Sequence, residues 1–541
     1  MKKQKFDTLG IMLDVSRNAV MNVDSLKVYL GYLAKMGYNC VWLYSEDTYE
    51  VEEEPFFGYL RGRYTREELR EIDEYAYNLG IELIPCIQTL AHLRSFVRWN
   101  KVKIDIDDIL LVDDERTYKF VENLIKTVSE TFRTRRLHIG MDEAWTLGRG
   151  KHLDIHGFES YTEIMRRHLT RVNEIVKKYG CSTIIWSDMF IRPWNNSEYT
   201  ALGEKGVLEI PADVLAAVPN DVDLVYWDYY YEKREHYLNN INTHKQFNNK
   251  LWFAGAVWSW RSYAPNNHYS ISSMIPAIEA CRESGVKDFV LTMWGDNGAE
   301  ASRFGLLPSI LHIAEYAKGN TDEEKIKAKF KRLFGMDYDD FMALDDIDNA
   351  HFTYRNHERA TRKALFTDLF SGFLDTTVKE GHGAEFQRLA DLYRVSAKKS
   401  RKWAFLFNSY AALADVMAVK YELGVKTRAA YQSGNKDELR RLANEDYTVL
   451  LKRLRKFQLA FEKLWYAENK PYGFDVQELR IGGISTRAES CKRRLLDYVN
   501  GKISEIPELA EKLIEIKTTE YLYKNNEYDY LSTVNTLWGA Q

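Results

Sequence analysis

The sequence predicts an α/β fold: a (β/α)8 barrel of the TIM type over residues 1–318, followed by a mostly α-helical C-terminal domain over residues 319–541. Three observations carry this. Eight short apolar runs recur before residue 300, segments of helical period separate them, and beyond about residue 319 long charged helix-periodic stretches take over. Strands alternating with helices read as a parallel sheet, and eight such units suggest closure into a barrel. An open doubly wound sheet competes, but no glycine-rich fingerprint follows the first run.

The apolar runs are Leu9–Leu13, Asn39–Leu43, Ile81–Cys86, Leu137–Met141, Thr183–Trp186, Leu224–Trp227, Trp252–Val257 and Phe289–Met293. Between the first two, Val23–Met36 has helical period and places Val28, Leu30, Leu33 and Ala34 on one side. Thr65-Arg66-Glu67-Glu68 has the form of a capping box that opens a second helix. Gly37, Gly80, Gly180 and Gly285 each stand just before a strand, where a helix commonly ends on a left-handed residue. In the second domain the expected helices are Thr321–Phe334, Glu385–Val395, Trp403–Leu423, Lys436–Leu464 and Leu479–Val499. No low-complexity linker separates the halves, so the helices are expected to pack directly on the barrel.

At 541 residues the chain is too long for one compact core. With a formal net charge of −4, nothing in the balance points to nucleic acid or an anionic membrane surface. Aromatic residues reach 13%, and most of the 13 Trp lie between Trp42 and Trp294. Flat rings hold the C–H faces of sugars, but a large aromatic core explains the same composition equally well. The Met1–Asp7 segment lacks the apolar stretch of a signal peptide, and no apolar run approaches a membrane span. Five cysteines at irregular spacing give no disulfide framework; Cys40 and Cys86 read as buried free thiols. A cytoplasmic location is expected.

In a parallel barrel the site lies at the C-terminal ends of the strands. Read there, the chain offers Asp14 to Arg17, Glu46-Asp47, His92, Asp142-Glu143, Trp186-Ser187-Asp188, Trp227-Asp228-Tyr229, Trp258 with Trp260 and Tyr263, and Trp294-Gly295-Asp296-Asn297. Each end carries a Trp, a charge or a histidine, and eight converging on one mouth are hard to explain as packing. His152 and His156 have a metal-like i,i+4 spacing, but without a third ligand nearby they read as a solvated face. No metal or cofactor is implied.

His138-Ile139-Gly140-Met141-Asp142-Glu143-Ala144 closely resembles the catalytic strand of the family 20 glycoside hydrolases, the β-N-acetylhexosaminidases. Gly10 to Arg17 is similar to that family's first strand, Ile84 to His92 to its third, and Trp294-Gly295-Asp296 to its last. The matches run in order over about the first 300 residues. The resemblance implies an exo-acting retaining enzyme that removes terminal β-linked N-acetylhexosamine from small or oligosaccharide substrates. It assigns catalysis to Asp142 and Glu143, and substrate binding to Arg17, His92 and Trp294. Two departures stand out: many members carry an α/β domain before the barrel, whereas this chain starts almost on strand one, and Asp296 replaces the usual glutamate. Family members usually have Asp-Asp where this chain has Glu46-Asp47, so one of the two is expected at the sugar, and Asp47 is the candidate. Trp186, Trp227 and Trp258 complete the expected aromatic lining, with at least one of the four tryptophans belonging to the core. Tyr229 is the candidate donor to the acetamido oxygen.

Most retaining glycosidases place an acid/base and a nucleophilic carboxylate about 5–5.5 Å apart. The seventh run, Trp252 to Trp260, has no carboxylate, and the partner of Glu143 is its own neighbour. Adjacent strand residues face opposite sides, so both reach one pocket only where the strand ends and bends. A carboxylate so placed suits orienting a 2-acetamido group that itself attacks C1, the substrate-assisted exception. A non-catalytic sugar-binding barrel and a glycosidase of another mechanism are the competing readings.

Overall fold

The computed structural model describes residues 5–195, 199–349, 360–372 and 374–515. The last residues of the expected second domain, 516–541, lie outside the described residues.

Eight parallel strands close into a barrel in sequence order: β1 (Thr8–Asp14), β2 (Cys40–Ser45), β3 (Glu82–Ile87), β4 (Arg136–His138), β5 (Ser182–Trp186), β6 (Val222–Trp227), β7 (Leu251–Ala256) and β8 (Asp288–Met293). β8 pairs with β1 from Thr8↔Asp288 to Leu13↔Met293 and so completes the ring. The interior is filled by rings: Trp42 packs on His138 at 4.9 Å, on Trp252 at 5.5 Å and on Trp186 at 5.8 Å. This is a packed core beneath the mouth, so ligand access is confined to the strand ends.

Local signals worked where they rest on backbone chemistry. Thr65 and Glu68 form the reciprocal capping box at the start of Arg66–Asn78, and Gly37, Gly80, Gly180 and Gly285 all take positive φ. Side-chain periodicity was less exact. In Val23–Met36 the buried residues include Leu26, Tyr29, Leu30, Leu33 and Met36, while Val28 is 48% exposed. Tyr29 supplies the face instead, its hydroxyl reaching the Arg303 carbonyl at 3.3 Å.

The long helices beyond the barrel are Glu323–Phe334, His382–Lys399, Ala404–Gln432, Lys436–Asn444, Asp446–Glu468 and Phe474–Val499. The stretch expected as one helix over Lys436–Leu464 is two, Lys436–Asn444 and Asp446–Glu468, broken at Glu445. These helices pack on the barrel through aromatic rings: Phe304 meets Trp403 at 5.7 Å, and Tyr263 meets Phe457 and Phe461 at 5.6 and 5.5 Å. Each fully buried large apolar side chain contributes about 1.5–3 kcal/mol. Backbone also joins the parts, with Met21 bridging Asn469 and the Lys470 N–H donating to the Val20 carbonyl at 2.7 Å.

Candidate active site

The end of β4 is where the chain departs most from its expected course. The apolar run continues to Met141, but the strand stops at His138, because Gly140, Met141 and Glu143 all take positive φ. At Gly140 a Cβ would stand 2.2 Å from Gln88 Oε1 and 2.7 Å from the Ile87 carbonyl, so only glycine fits. The Gln88 side chain holds the bend. Its Oε1 accepts from the Met141 N–H at 3.3 Å, and its Nε2 donates to Asp142 Oδ1 at 2.8 Å and to the Tyr44 hydroxyl at 3.0 Å. Consecutive carboxylates thereby turn toward one imidazole: His92 Nε2 lies 3.3 Å from Asp142 Oδ2 and 3.7 Å from Glu143 Oε2.

The two carboxyls differ in proton affinity. Burial alone would push Asp142 upward, but the His92 cation, the Gln88 amide and Arg17 outweigh it and hold Asp142 well below the usual carboxylate range. Burial raises Glu143, and the negative charge of Asp142 adds to that rise against the opposing His92 and Arg192. Burial works against protonation of His92, yet its two carboxylate neighbours raise it overall. The result is an ionised Asp142, a cationic His92 and a Glu143 biased toward its acid form. The Glu143 side chain remains 26% exposed and Asp142 only 8%.

Asp188, just past β5, belongs to the Trp186-Ser187-Asp188 strand end, where the sequence assigns it no role. It accepts the Glu143 backbone N–H at 3.0 Å and the Trp227 indole N–H at 3.4 Å, tying the acid to the aromatic wall. Burial and the Asp142 charge push it up to about 7. Its place after Trp186-Ser187 at a strand end was the available signal.

Opposite the carboxylates stands Arg17. Its Nε pairs with Glu46 Oε1 at 2.8 Å; its Nη1 reaches Asp14 Oδ2 at 3.1 Å and Asp296 Oδ1 at 3.7 Å. Asp14 also accepts the Arg17 and Gly295 N–H groups, at 3.1 and 2.8 Å, joining the ends of β1 and β8. The guanidinium sits against Tyr44 and Trp294, 4.8 and 4.9 Å from the ring centres. Trp294 and Asp296 keep partial exposure at this mouth. A cavity of ≈ 130 Å³ opens beside the group, lined among others by Glu46, His92, Glu143 and Trp145.

Two of the expected site residues are buried. Asp47 turns away from the cavity and pairs with Arg61 at 3.2 Å, 1% exposed, while its neighbour Glu46 faces the cavity. Beyond the end of β2 at Ser45 the two neighbours take different partners, Glu46 pairing with Arg17 and Asp47 with Arg61. Trp186 is 1% exposed within the ring of His138 (4.4 Å), Trp42 and Trp294 (6.1 Å), so it floors the site as core. The remaining aromatics form one wall: Trp227 stacks on Tyr229 at 5.7 Å, and Tyr229 meets Trp260 edge-on at 5.3 Å. Trp258 stacks on Trp260 at 4.0 Å and is otherwise enclosed by Tyr229, Tyr230 and Tyr269. Glu143 and Asp296 both bear on the Tyr229 phenol, which burial raises far above its ordinary range. Away from the mouth, His152 is buried rather than solvated and bonds Glu159 at 2.8 Å. Among the described residues no group of three or more His, Cys, Asp or Glu is arranged to hold a metal ion, and no helix is long and apolar enough to cross a membrane.

Comparison with known proteins gives two family matches. Residues 6–254 match the glycosyl hydrolase family 20 catalytic domain, and residues 339–526 match the glycoside hydrolase 20C C-terminal domain. Among curated proteins, the human β-hexosaminidase subunit beta is 23% identical over 310 residues, 48% of this chain and 53% of its own length. A Vibrio furnissii β-hexosaminidase is 27% identical over 148 residues, 24% of each chain. The chain thus spans about half or less of the length of these relatives. Among solved structures, the Flavobacterium johnsoniae chitobiase aligns over 93% of this chain and 74% of its own, with 16% identity and a TM-score of 0.47. With one match over most of the barrel and the other over the helices that follow, the chain belongs to glycoside hydrolase family 20.

Proposed function

We propose that the chain is an exo-acting retaining β-N-acetylhexosaminidase that works through the 2-acetamido group of its substrate. The observation that carries this is the pair Asp142-Glu143, turned by the β4 bend into one mouth with opposite proton affinities. Glu143 donates its proton to the glycosidic oxygen as the C1–O bond breaks. The acetamido carbonyl oxygen attacks C1 from the other face, and Asp142 accepts the acetamido N–H and balances the positive charge of the cyclised intermediate. Glu143, now a carboxylate, takes a proton from water as it opens that ring, so the sugar leaves with its β configuration retained. Tyr229 donates to the acetamido oxygen, Trp227 and Trp294 supply apolar faces, and Arg17, with Glu46 and Asp296, binds the ring hydroxyls.

Other carboxylates near the mouth are engaged, which favours the substrate's own nucleophile. Asp14 and Glu46 pair with Arg17, Asp188 is bonded to Glu143 and Trp227, and Asp228 is bonded to Tyr226 and His236, each at 2.8 Å. The named function of the relatives, β-hexosaminidase, agrees with this reading. The test is turnover of an aryl β-N-acetylglucosaminide by the parent and by Glu143→Gln. Loss of general acid catalysis should lower kcat by about 10²–10⁴-fold with sugar binding kept. A parent that binds the sugar without turnover would favour a binding barrel, and an unimpaired Glu143→Gln would remove Glu143 from this role.

A further inference from the structure

The loop after β8 carries Trp294 and Asp296 into the mouth, and its continuation is gripped by the C-terminal helices. Asn297, Gly298 and Ala299 have φ of 58, 118 and 50, a run of left-handed backbone that needs outside support. Arg480, on Phe474–Val499, donates from Nη1 to the Asn297 carbonyl at 3.0 Å and from Nη2 to Asn297 Oδ1 at 2.7 Å. Arg362 donates to the same Oδ1 at 2.8 Å, and Gln477 Nε2 donates to the Gly298 carbonyl at 3.0 Å. Glu300 closes the cluster between Arg480 (2.6 Å) and Arg362 (3.0 Å). Arg480 and Gln477 are 0% exposed and Arg362 2%. The fit is tight, since a Cβ on Gly298 would stand 2.8 Å from Arg480 Nη1.

The other half of the hydroxyl site is held from the same side. Asn18, next to Arg17, donates to the Gly473 carbonyl at 2.9 Å, just before the helix that carries Gln477 and Arg480. Glu468 bonds Ser302 and the Arg303 N–H, and Arg303 in turn donates to the Asp14 carbonyl. The partners of these buried charges are loop backbone and loop carboxylate, so the helices fix where Arg17 and Asp296 stand.

We propose that Arg480, Arg362 and Gln477 are positioning residues of the sugar site: through Asn297 and Gly298 they set the placement of Asp296 against Arg17, and with it the binding of the sugar's outer hydroxyls. This rests on the hexosaminidase reading. The helical region then forms part of the specificity apparatus as well as covering the barrel.

A double-mutant cycle on the full chain tests it, with KM and kcat for an aryl β-N-acetylglucosaminide. Arg480→Lys keeps a charge beside Glu300 but loses the fork on Asn297; Gln477→Met removes one donor without touching the buried ion pairs. Each is made in the parent and in an Asp296→Ala background, with folding checked by thermal melting. The expected result is a KM raised roughly tenfold with kcat nearly unchanged, a penalty shrinking to under about twofold once Asp296 is gone. The same penalty in both backgrounds, or none in the parent, overturns the proposal, because a merely structural role would not depend on Asp296. If Arg480→Lys fails to fold, the Gln477→Met cycle decides alone. A folded parent without turnover sinks the hexosaminidase reading and this inference together; an active parent with an additive cycle sinks the inference alone.

Discussion

His92 faces Asp142 and Glu143 at 3.3 and 3.7 Å, and as a cation it lowers the proton affinity of both. Asp142 must be ionised and Glu143 protonated for turnover, so the two set opposite limbs of a bell-shaped profile. Without the cation both carboxyls rise: Asp142 ionises only at higher pH, and Glu143 keeps its proton to higher pH. His92→Gln should therefore move both limbs of the kcat/KM profile upward, and a shift of only one limb, or a downward shift, would contradict the assignment. Asp296 reaches Arg17 only at 3.7 Å and stays partly exposed. Aspartate is one methylene shorter than glutamate, and a water bridging it to the sugar would adapt to an axial or an equatorial O4 where a direct bond would not. Both gluco- and galacto-configured aryl N-acetylhexosaminides are expected to be cleaved, with kcat/KM ratios below about a thousandfold and rising in Asp296→Glu. A ratio that does not move would show that Asp296 leaves this selectivity to other residues. At this scale the sequence was readable where a motif spans several residues, as around Asp142 or His92. It did not tell which arginine Glu46 and Asp47 each pair with, nor the partners of Asp188, a backbone N–H and an indole on other elements.

At the scale of elements, the end of β4 is decisive. Periodicity continues the strand to Met141, since Ile139 and Met141 are apolar and buried. What stops it is backbone geometry at Gly140 and the grip of Gln88, a contact between strands that no local pattern reveals. Gly140→Ala should lower stability by at least ~1–2 kcal/mol for the left-handed residue alone, and the displaced Gln88 should loosen Asp142. Chemical denaturation and kcat/KM are the measurements, and a variant matching the parent in both would show that the bend tolerates a side chain. The helices tell the same story from the other side. Caps such as Thr65–Glu68 were legible because they are made within four residues. Val28 was misplaced because Tyr29, a residue with a polar tip, takes the buried position.

For the whole molecule, barrel closure followed from counting eight strand–helix units, and the helical character of the C-terminal part from its charged periodicity. How the two engage was not legible. Besides the aromatic packing, the contacts include ion pairs and carbonyl bonds between residues far apart in sequence, such as Arg480 with Glu300, 180 positions away, and sequence spacing says nothing about such pairs. Their convergence behind the mouth makes the chemistry a property of the assembled chain: strand ends supply the groups, and the helices hold the loops that carry several of them. The central claim is that the substrate's acetamido oxygen, oriented by Asp142, is the nucleophile. Its most direct test is kcat/KM for aryl β-N-acetylglucosaminides in which the acetyl methyl carries none, one, two or three fluorines, each weakening that oxygen as a nucleophile. A steep monotonic fall along the series is expected, with the corresponding β-glucoside scarcely cleaved; a flat series, or a covalent sugar trapped on any enzyme carboxylate, would rule out the acetamido oxygen as the nucleophile.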